Sequence, residues 1–362
     1  MRIIIRTDAN RNIGMGHIMR CLSISDFFSS AGHYVSFVLA DETVINLIKC
    51  RGYDGIILHS DYTNMDGEPS DWICDVGADL IIVDSYFVTE SYFRQLRNKM
   101  KSTSGKLVYI DDICSFPYSV DILVNYNAYA ESDTYAKLYR GLKEPNFILG
   151  PRYAPLRSMF KEIEKKVQPK RVENILISTG GADELHLSLA IVRYLVEQGN
   201  ADKTYHILLG AMNTDKKEIE LLAGDSIVLH ENIIDMKSLI ANCDLAISAA
   251  GSTLYEICAC GVPLITFSVA DNQILGADAF ERIGLGENIG DLRDPDSINP
   301  KQDMSGSLEK SAVNRIMYAA QELSSNYEKR VKMGVKMQTM VDGFGADRIG
   351  IRIMELLYHT HI

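Results

Sequence analysis

The chain lacks the marks of several common protein classes. Its seven cysteines, at positions 21, 50, 74, 114, 243, 258 and 260, are odd in number and never spaced as CxxC, which argues against a disulfide framework or a zinc ribbon. Reduced, mostly buried thiols are the expectation. Proline is scarce, 9 in 362 residues, and there is a single Trp and no low-complexity run; with 46% hydrophobic residues, extensive disorder is excluded. Positive charge is the minority, 37 Lys and Arg against 48 Asp and Glu for a formal charge of -11, so any basic footprint for nucleic acid would have to be local. No window approaches eighteen uninterrupted apolar residues; Leu80 to Val83 and Leu245 to Ala250 are short and bounded by Asp, Ser or Gly, as buried strands are. The opening MRIIIRTDANRNIGMGH has neither the apolar stretch nor the small-residue cleavage site of a signal peptide, and a cytoplasmic location is expected.

What the chain does have is alternation. Short β-branched runs alternate with segments of helical period: Arg2 to Thr7 then Met15 to Ala31, Tyr34 to Ala40 then Thr43 to Arg51, with further strands expected at Gly55 to His59, Leu80 to Asp84, Leu107 to Asp111 and Ile122 to Asn125. That pattern builds a parallel sheet covered by helices. A second unit opens near Asn174, where NILISTGG repeats the scheme of strand, glycine turn and amphipathic helix, followed by strands at Tyr205 to Leu209, Ile227 to His230, Leu245 to Ser248 and Pro263 to Phe267. The charged, proline-bearing stretch PRYAPLRSMFKEIEKKVQPKRVEN reads as a short helix plus linker. The expected architecture is α/β, with two Rossmann-type domains, 1–168 and 169–362, facing across a cleft; the helical stretch Ala346 to Leu357 has no domain fixed by its own pattern.

Polar residues after the strand ends are the ones that can carry chemistry, because ligands of open α/β sheets bind outside the carboxyl ends of the strands. The first loop, Asp8 to His17, contains Gly14 and Gly16 and runs straight into helical periodicity. It is not the dinucleotide fingerprint, since GxGxxG from Gly14 would need a glycine where Met19 stands. His17 lies at the helix entrance, where the positive end of the macrodipole disfavours imidazolium, and a neutral ring can accept a proton. A histidine there can also simply cap or pack, but two preceding glycines at a strand-to-helix turn favour the general base. The other seven histidines (33, 59, 186, 206, 230, 359, 361) have no comparable setting.

The second domain carries the stronger pattern: a strand ending in small residues, then Gly251, Ser252, Thr253 and Glu256, and further on Asn272 and Gln273. Gly251 would let a diphosphate reach the N–H groups and hydroxyls of Ser252 and Thr253 at a new helix start. Glu256, one turn on, could accept both hydroxyls of a ribose. Singly, Ser252 and Glu256 are ordinary helix-start residues; the whole cassette suggests a nucleotide. Gly180-Gly181 could leave room for the same ligand or form a plain turn. Tyr86, Asp111-Asp112 and Asn125-Tyr126-Asn127 could hydrogen-bond a sugar or cap the next helix. Asp111 and Asp112 would point to opposite sides of a continued strand, which disfavours a two-carboxylate glycosidase. There is no HExxH and no clustered His/Cys set, and Asp294-Pro295-Asp296 falls in an expected loop, so no metal site is expected.

Seven motifs, in order, resemble the UDP-2,4-diacetamido-2,4,6-trideoxy-beta-L-altropyranose hydrolases of pseudaminic acid biosynthesis, and more distantly GT-B glycosyltransferases of the MurG type. They are Arg6-Thr-Asp8, Ile13-Gly-Met-Gly-His17-Ile-Met-Arg20-Cys-Leu, Val83-Asp-Ser-Tyr86, Ile110-Asp-Asp112, Leu149 to Arg157, Ile177-Ser-Thr-Gly-Gly181 and Gly251 to Gln273. The last motif alone identifies only the GT-B superfamily; the loop around His17 is the more specific. Two features depart from the pattern: a longer tail after about Gln273, which puts the role of residues 290–362 in question, and Ala249-Ala250 in place of a glycine-rich approach to Gly251. The resemblance implies hydrolysis of a UDP-linked diacetamido sugar by water attack at the anomeric carbon, with His17 as base and substrate contacts from Asp8, Gly14, Gly16, Arg20, Tyr86, Gly181, Gly251, Ser252, Thr253, Glu256, Asn272 and Gln273. It implies no cofactor or metal, a small-molecule nucleotide-sugar partner, no nucleic-acid or membrane partner, and a monomer by default. A GT-B transferase using a UDP-amino sugar, or a non-catalytic nucleotide-sugar binder, would use the same two domains.

Overall fold

The computed structural model describes residues 1–10, 13–69, 72–73, 77–100, 105–199, 202–294 and 308–358. His359, His361, Cys74, Pro295 and Asp296 lie outside the described residues. The chain divides into two compact units: Met1–Ser158 with Phe344–Ile362, and Met159–Gly343.

The first unit holds a seven-stranded sheet: β1 (Arg2–Thr7), β2 (Tyr34–Leu39), β3 (Asp54–Ile57), β4 (Leu80–Asp84), β5 (Lys106–Ile110), β6 (Ile122–Asn125) and β7 (Asn146–Leu149). Its order is β3-β2-β1-β4-β5-β6-β7, with each neighbouring pair parallel. The runs IIIRT of β1 and LIIVD of β4 are buried throughout, as strands covered on both faces must be. The second unit repeats the plan with β8 (Asn174–Ser178), β9 (Thr204–Leu208), β10 (Ile227–His230), β11 (Leu245–Ala249), β12 (Leu264–Ser268) and β13 (Glu287–Asp291). These are again parallel, in the order β10-β9-β8-β11-β12-β13.

The order reverses between β1 and β4 in one sheet and between β8 and β11 in the other. At those points successive crossovers leave in opposite directions and open a crevice beyond the carboxyl ends of the strands. The loop carrying His17 follows β1 and Tyr86 follows β4; Gly180-Gly181 follows β8 and Gly251 follows β11. The two doubly wound units and eleven of their strands stand where the sequence pattern puts them.

Three features differ from expectation. Two strands were not expected: β7, whose apolar run NFIL is only four residues long, and β13, which reads ENIGD. The linker contains two 3-10 turns, Pro151–Tyr153 and Ser158–Phe160, rather than an α-helix, since its charged stretch has no apolar face to bury. It is instead held by its backbone within the second unit, Lys166 N–H donating to Gln338 Oε1 at 3.0 Å and Gln338 Nε2 donating to the carbonyl of Glu164 at 3.0 Å. Finally, the boundary falls at 158/159 rather than 168/169, and the terminal helix Gly345–Tyr358 packs with the first unit, against the helix Gly16–Ser30. Glycines permit the close approach: a Cβ on Gly350 would lie 2.0 Å from the Phe27 ring, and one on Gly345 2.0 Å from the carbonyl oxygen of Ala154.

Candidate active site

In the first unit the crevice is built from charged side chains that are almost wholly buried. The chain leaves β1 at Thr7, whose register partner is Asp84 at the end of β4, so the loop after β1 starts beside that carboxylate. The loop turns at Gly14, whose φ of +76° suits glycine and whose N–H donates to the carbonyl of Asn10 at 2.8 Å. The helix then begins at Gly16, and His17 and Arg20, three residues apart and so on one face, both reach Asp84.

His17 is 3% exposed, and its Nδ1 lies 2.6 Å from Asp84 Oδ1. Arg20 Nε donates to Asp84 Oδ2 at 2.7 Å, and its Nη2 also contacts Oδ1. The thiol of Cys21 donates to Oδ2 at 3.2 Å. Arg20 further pairs Nη2 with Asp112 Oδ2 at 2.8 Å and donates from Nη1 to the Tyr126 hydroxyl at 2.8 Å. Burial favours the neutral acid at Asp84, but Arg20 and His17 outweigh it and hold the carboxyl well below the usual carboxylate range. Burial likewise opposes charge on Arg20, and Asp112 and Asp84 outweigh it, holding the guanidinium above its ordinary value. The tautomer of His17 follows. An ionised carboxylate can only accept, so the 2.6 Å contact requires a proton on Nδ1, and the Arg20 Nη2 atom 3.0 Å from Nδ1 must direct its hydrogens to the carboxylates. The other ring nitrogen, Nε2, is buried and has no hydrogen-bond partner among the described residues. The Tyr86 ring meets the imidazole edge-on, centroids 4.3 Å apart, and burial, then Asp112, pushes its hydroxyl up so that it stays protonated. Tyr126 is pushed up to about 12, chiefly by burial.

Gly14, Gly16, His17 and Tyr86 stand together at this crevice, while Asp8 and Arg20 bond to other side chains of the unit. Asp8 is 7% exposed, with Oδ2 paired to buried Arg6 and Oδ1 accepting from the Ala40 N–H at 2.7 Å. Arg6 in turn donates from Nε to both oxygens of Glu68, at 3.1 and 3.0 Å. All three nitrogens of Arg20 make contacts within the unit, to Asp84, Asp112 and Tyr126. The carboxylates 111 and 112 diverge as expected. Asp111 accepts from Tyr135 at 2.6 Å and Tyr118 at 3.0 Å, while Asp112 meets Arg20 and accepts from Asn127 Nδ2 at 2.7 Å. Asn125 donates to the Tyr135 hydroxyl at 2.8 Å and accepts from the N–H of Asn127. Asp84 is the residue sequence reasoning passed over. Its signal was an acidic residue closing a fully apolar strand at the point where the sheet order reverses.

In the second unit the loops after β8 and β11 open with small residues, and the carboxylates Asp183 and Glu256 follow further on. Gly180 adopts φ +104°, and a Cβ on Gly181 would find only Met212 Cε, at 3.7 Å. After β11, Gly251 and Ser252 are exposed and Thr253 and Glu256 half-buried. A Cβ on Gly251 would meet nothing within 4 Å. Ser252 makes no side-chain capping bond at the start of the helix Thr253–Cys260. Asn272 is exposed, whereas Gln273 turns Oε1 back to accept from the N–H of Val269 at 2.9 Å, bracing the end of β12. A helix start behind an exposed Gly-Ser pair offers N–H donors and the positive end of its dipole to an anion.

Comparison with known proteins gives this arrangement its relatives. Residues 156–298 match the glycosyltransferase family 28 C-terminal domain. An uncharacterised protein of Methanocaldococcus jannaschii is 27% identical over 73% of this chain and 55% of its own length. The Helicobacter pylori pseudaminic acid cytidylyltransferase and UDP-2,4-diacetamido-2,4,6-trideoxy-beta-L-altropyranose hydrolase is 27% identical over 79% of this chain and 48% of its own. The chain therefore spans about half the length of these two curated relatives. The Campylobacter jejuni UDP-2,4-diacetamido-2,4,6-trideoxy-beta-L-altropyranose hydrolase is 28% identical over 64% of this chain and 77% of its own. Among solved structures, MurG of Acinetobacter baumannii covers 98% of the chain and all of its own at a TM-score of 0.64 and 12% identity. The UDP-GlcNAc 2-epimerase of Neisseria meningitidis, bound to UDP-GlcNAc, covers 98% of the chain and 100% of its own at 0.61 and 12%. The chain has the fold of GT-B glycosyltransferases such as MurG, and in sequence it is similar to the UDP-2,4-diacetamido-2,4,6-trideoxy-beta-L-altropyranose hydrolases.

Proposed function

We propose that the chain hydrolyses a UDP-linked 2,4-diacetamido-2,4,6-trideoxy-hexose of the altrose type to the free sugar and UDP, as a step of pseudaminic acid biosynthesis. The observation that carries this reading is the buried, unpartnered Nε2 of His17, on a ring whose Nδ1 faces the Asp84 carboxylate. In the proposed step a water oxygen bonds to the anomeric carbon, and the bond from that carbon to the diphosphate oxygen breaks. The electron pair leaves with UDP and the water proton passes to His17 Nε2. Asp84 orients the ring and balances the imidazolium that forms, as an aspartate does beside a catalytic histidine. Diphosphate is a good leaving group, so the protein's remaining task is to receive its charge, for which the Gly251 to Thr253 turn supplies N–H groups and hydroxyls. Glu256 would hold the ribose, and Tyr86 would face the sugar. The scheme needs no metal.

The test is turnover of the UDP-linked sugar in oxygen-18 water, without acceptor and with chelator present. Label is expected in the free sugar by mass spectrometry, and His17→Ala is expected to keep UDP affinity while losing about two to four orders of magnitude in turnover. Undiminished turnover in that variant would remove the base role. A second reading, transfer of the sugar to an acceptor hydroxyl, is favoured by the glycosyltransferase family model matched by residues 156–298. Release of UDP only when acceptors are added would establish it; tight binding with no turnover at all would point to a nucleotide-sugar binder.

A further inference from the structure

Arg20 makes no contact that would serve a ligand directly, yet it occupies the centre of the first unit's crevice. It is 8% exposed and lies between two carboxylates, Asp84 and Asp112, with Tyr126 both hydrogen-bonded to it and stacked beneath its guanidinium at 5.4 Å. Asp84 is wholly buried and faces two cationic or potentially cationic neighbours at once, His17 on Oδ1 and Arg20 on both oxygens. A base must be neutral before the reaction and charged after it. A buried aspartate 2.6 Å from the imidazole, left to itself, would charge the ring too early.

We propose that Arg20 is a positioning residue for His17: by neutralising Asp84 it lets that carboxylate fix the imidazole tautomer without drawing a second proton onto the ring. The inference rests on the base role proposed above for His17. The charged and titratable groups around the ring are Asp84 and Asp112, Arg20, the phenols of Tyr86 and Tyr126, and the Cys21 thiol, which burial pushes up and keeps protonated. With both phenols protonated, Arg20 is the only cation named in that set; it meets Asp84 through Nε and Nη2 and Asp112 through Nη2 alone. The division follows from spacing. Arg20 is three residues beyond His17, so both side chains descend from one helix face onto the same carboxylate.

The test replaces Arg20 by Met and, because that leaves two carboxylates facing each other in a buried site, also makes the double variant Arg20→Met/Asp112→Asn. The double variant removes one cation and one anion together and so protects the fold. Two readouts are taken: 15N spectra of the His17 ring at pH 7, and the acid limb of the kcat/KM profile. The wild type is expected to show the Nδ1–H tautomer, and both variants the imidazolium pattern. Their acid limb is expected to move up by about one pH unit or more, with turnover recovering at alkaline pH. Arg20→Lys, which keeps the charge, is expected to restore the wild-type ring spectrum. A ring spectrum unchanged in both Met-bearing proteins would overturn the proposal, as would a loss of activity equal at all pH values. The ring spectrum is read without substrate, so a shifted spectrum in a chain with no hydrolysis would sink the hydrolase reading and leave the coupling of Arg20 to His17 standing.

Discussion

The two units share a strand order and differ in what stands where that order reverses. In the first, the crevice is packed with ionisable side chains that pair within a few ångströms, each arginine between two carboxylates: Arg20 with Asp84 and Asp112 beside His17, and Arg6 with Asp8 and Glu68 on the flank of β1. In the second, the equivalent loops carry Gly180, Gly181, Gly251 and Ser252, small and open. On the proposed function, one plan serves two tasks. Handling a proton requires fixed donors and acceptors kept from water, whereas receiving an anion requires backbone N–H groups with nothing in front of them.

The contrast can be broken most strongly at Asp84. Replacing it by Ala strands Arg20 and His17 in a buried site, and about 3–5 kcal/mol of stability should be lost, the range for breaking a buried ion pair. Denaturant unfolding monitored in the first unit would show it, and a loss below about 1 kcal/mol would mean that water reaches the crevice and screens its charges. The opposite behaviour is expected at Gly251→Val. The backbone there is in no glycine-only region and a Cβ meets no neighbour, so stability should change by no more than about 0.5 kcal/mol. UDP affinity should nevertheless fall by about tenfold or more, roughly 1.4 kcal/mol, measured by calorimetry. Unaltered affinity would move the anion site away from this turn.

The smallest effect sharpens the comparison from the other side. The second unit's conspicuous titratable pair lies on neighbouring strands: His206 Nδ1 is 3.0 Å from His230 Nε2, and His206 Nε2 is 3.2 Å from Asn174 Oδ1. Asn174 Oδ1 accepts from His206 Nε2, so His206 Nδ1 must accept from His230, and both rings are neutral. Burial lowers both below the ordinary value of 6.5; for His206 the neighbouring ring lowers it further and Asp244 pulls the other way. Protonation therefore favours the unfolded chain. The pair's contribution is complete above about pH 6.5 and is lost as pH falls toward the folded-state values. His206→Gln should flatten the decline in melting temperature between pH 7 and 5. An undiminished decline would place the acid sensitivity elsewhere.

Much of this was legible in the sequence, for physical reasons that also mark where legibility ends. Strands buried on both faces announce themselves as apolar runs, and the loops after β1, β8 and β11 carry glycine where the chain must turn tightly into a helix. The strand β13 could not be read, because an edge strand of sequence ENIGD is held by its neighbour rather than by its own pattern. The placement of His17 at the start of the helix after β1 was readable from its position. The internal bonding of Asp8 and Arg20 was not, since side chains of one type can face a ligand or a neighbour, and only distances separate the two. The same limit concealed Asp84, whose importance lies in what converges on it from sixty-odd residues away.

The return of the terminal helix Gly345–Tyr358 to the first unit has a consequence for the order of events during synthesis. The sequence that builds the second sheet is interposed within the first unit, so an emerging chain can finish the later sheet while the earlier one still waits for its last helix. Until then the surface of the helix Gly16–Ser30 that receives Gly350 against Phe27 stays uncovered, and with it the scaffold that carries His17 and Arg20. Assembly of the scaffold around the charged crevice is thereby tied to synthesis of the segment Gly345–Tyr358, which follows the whole of the second sheet.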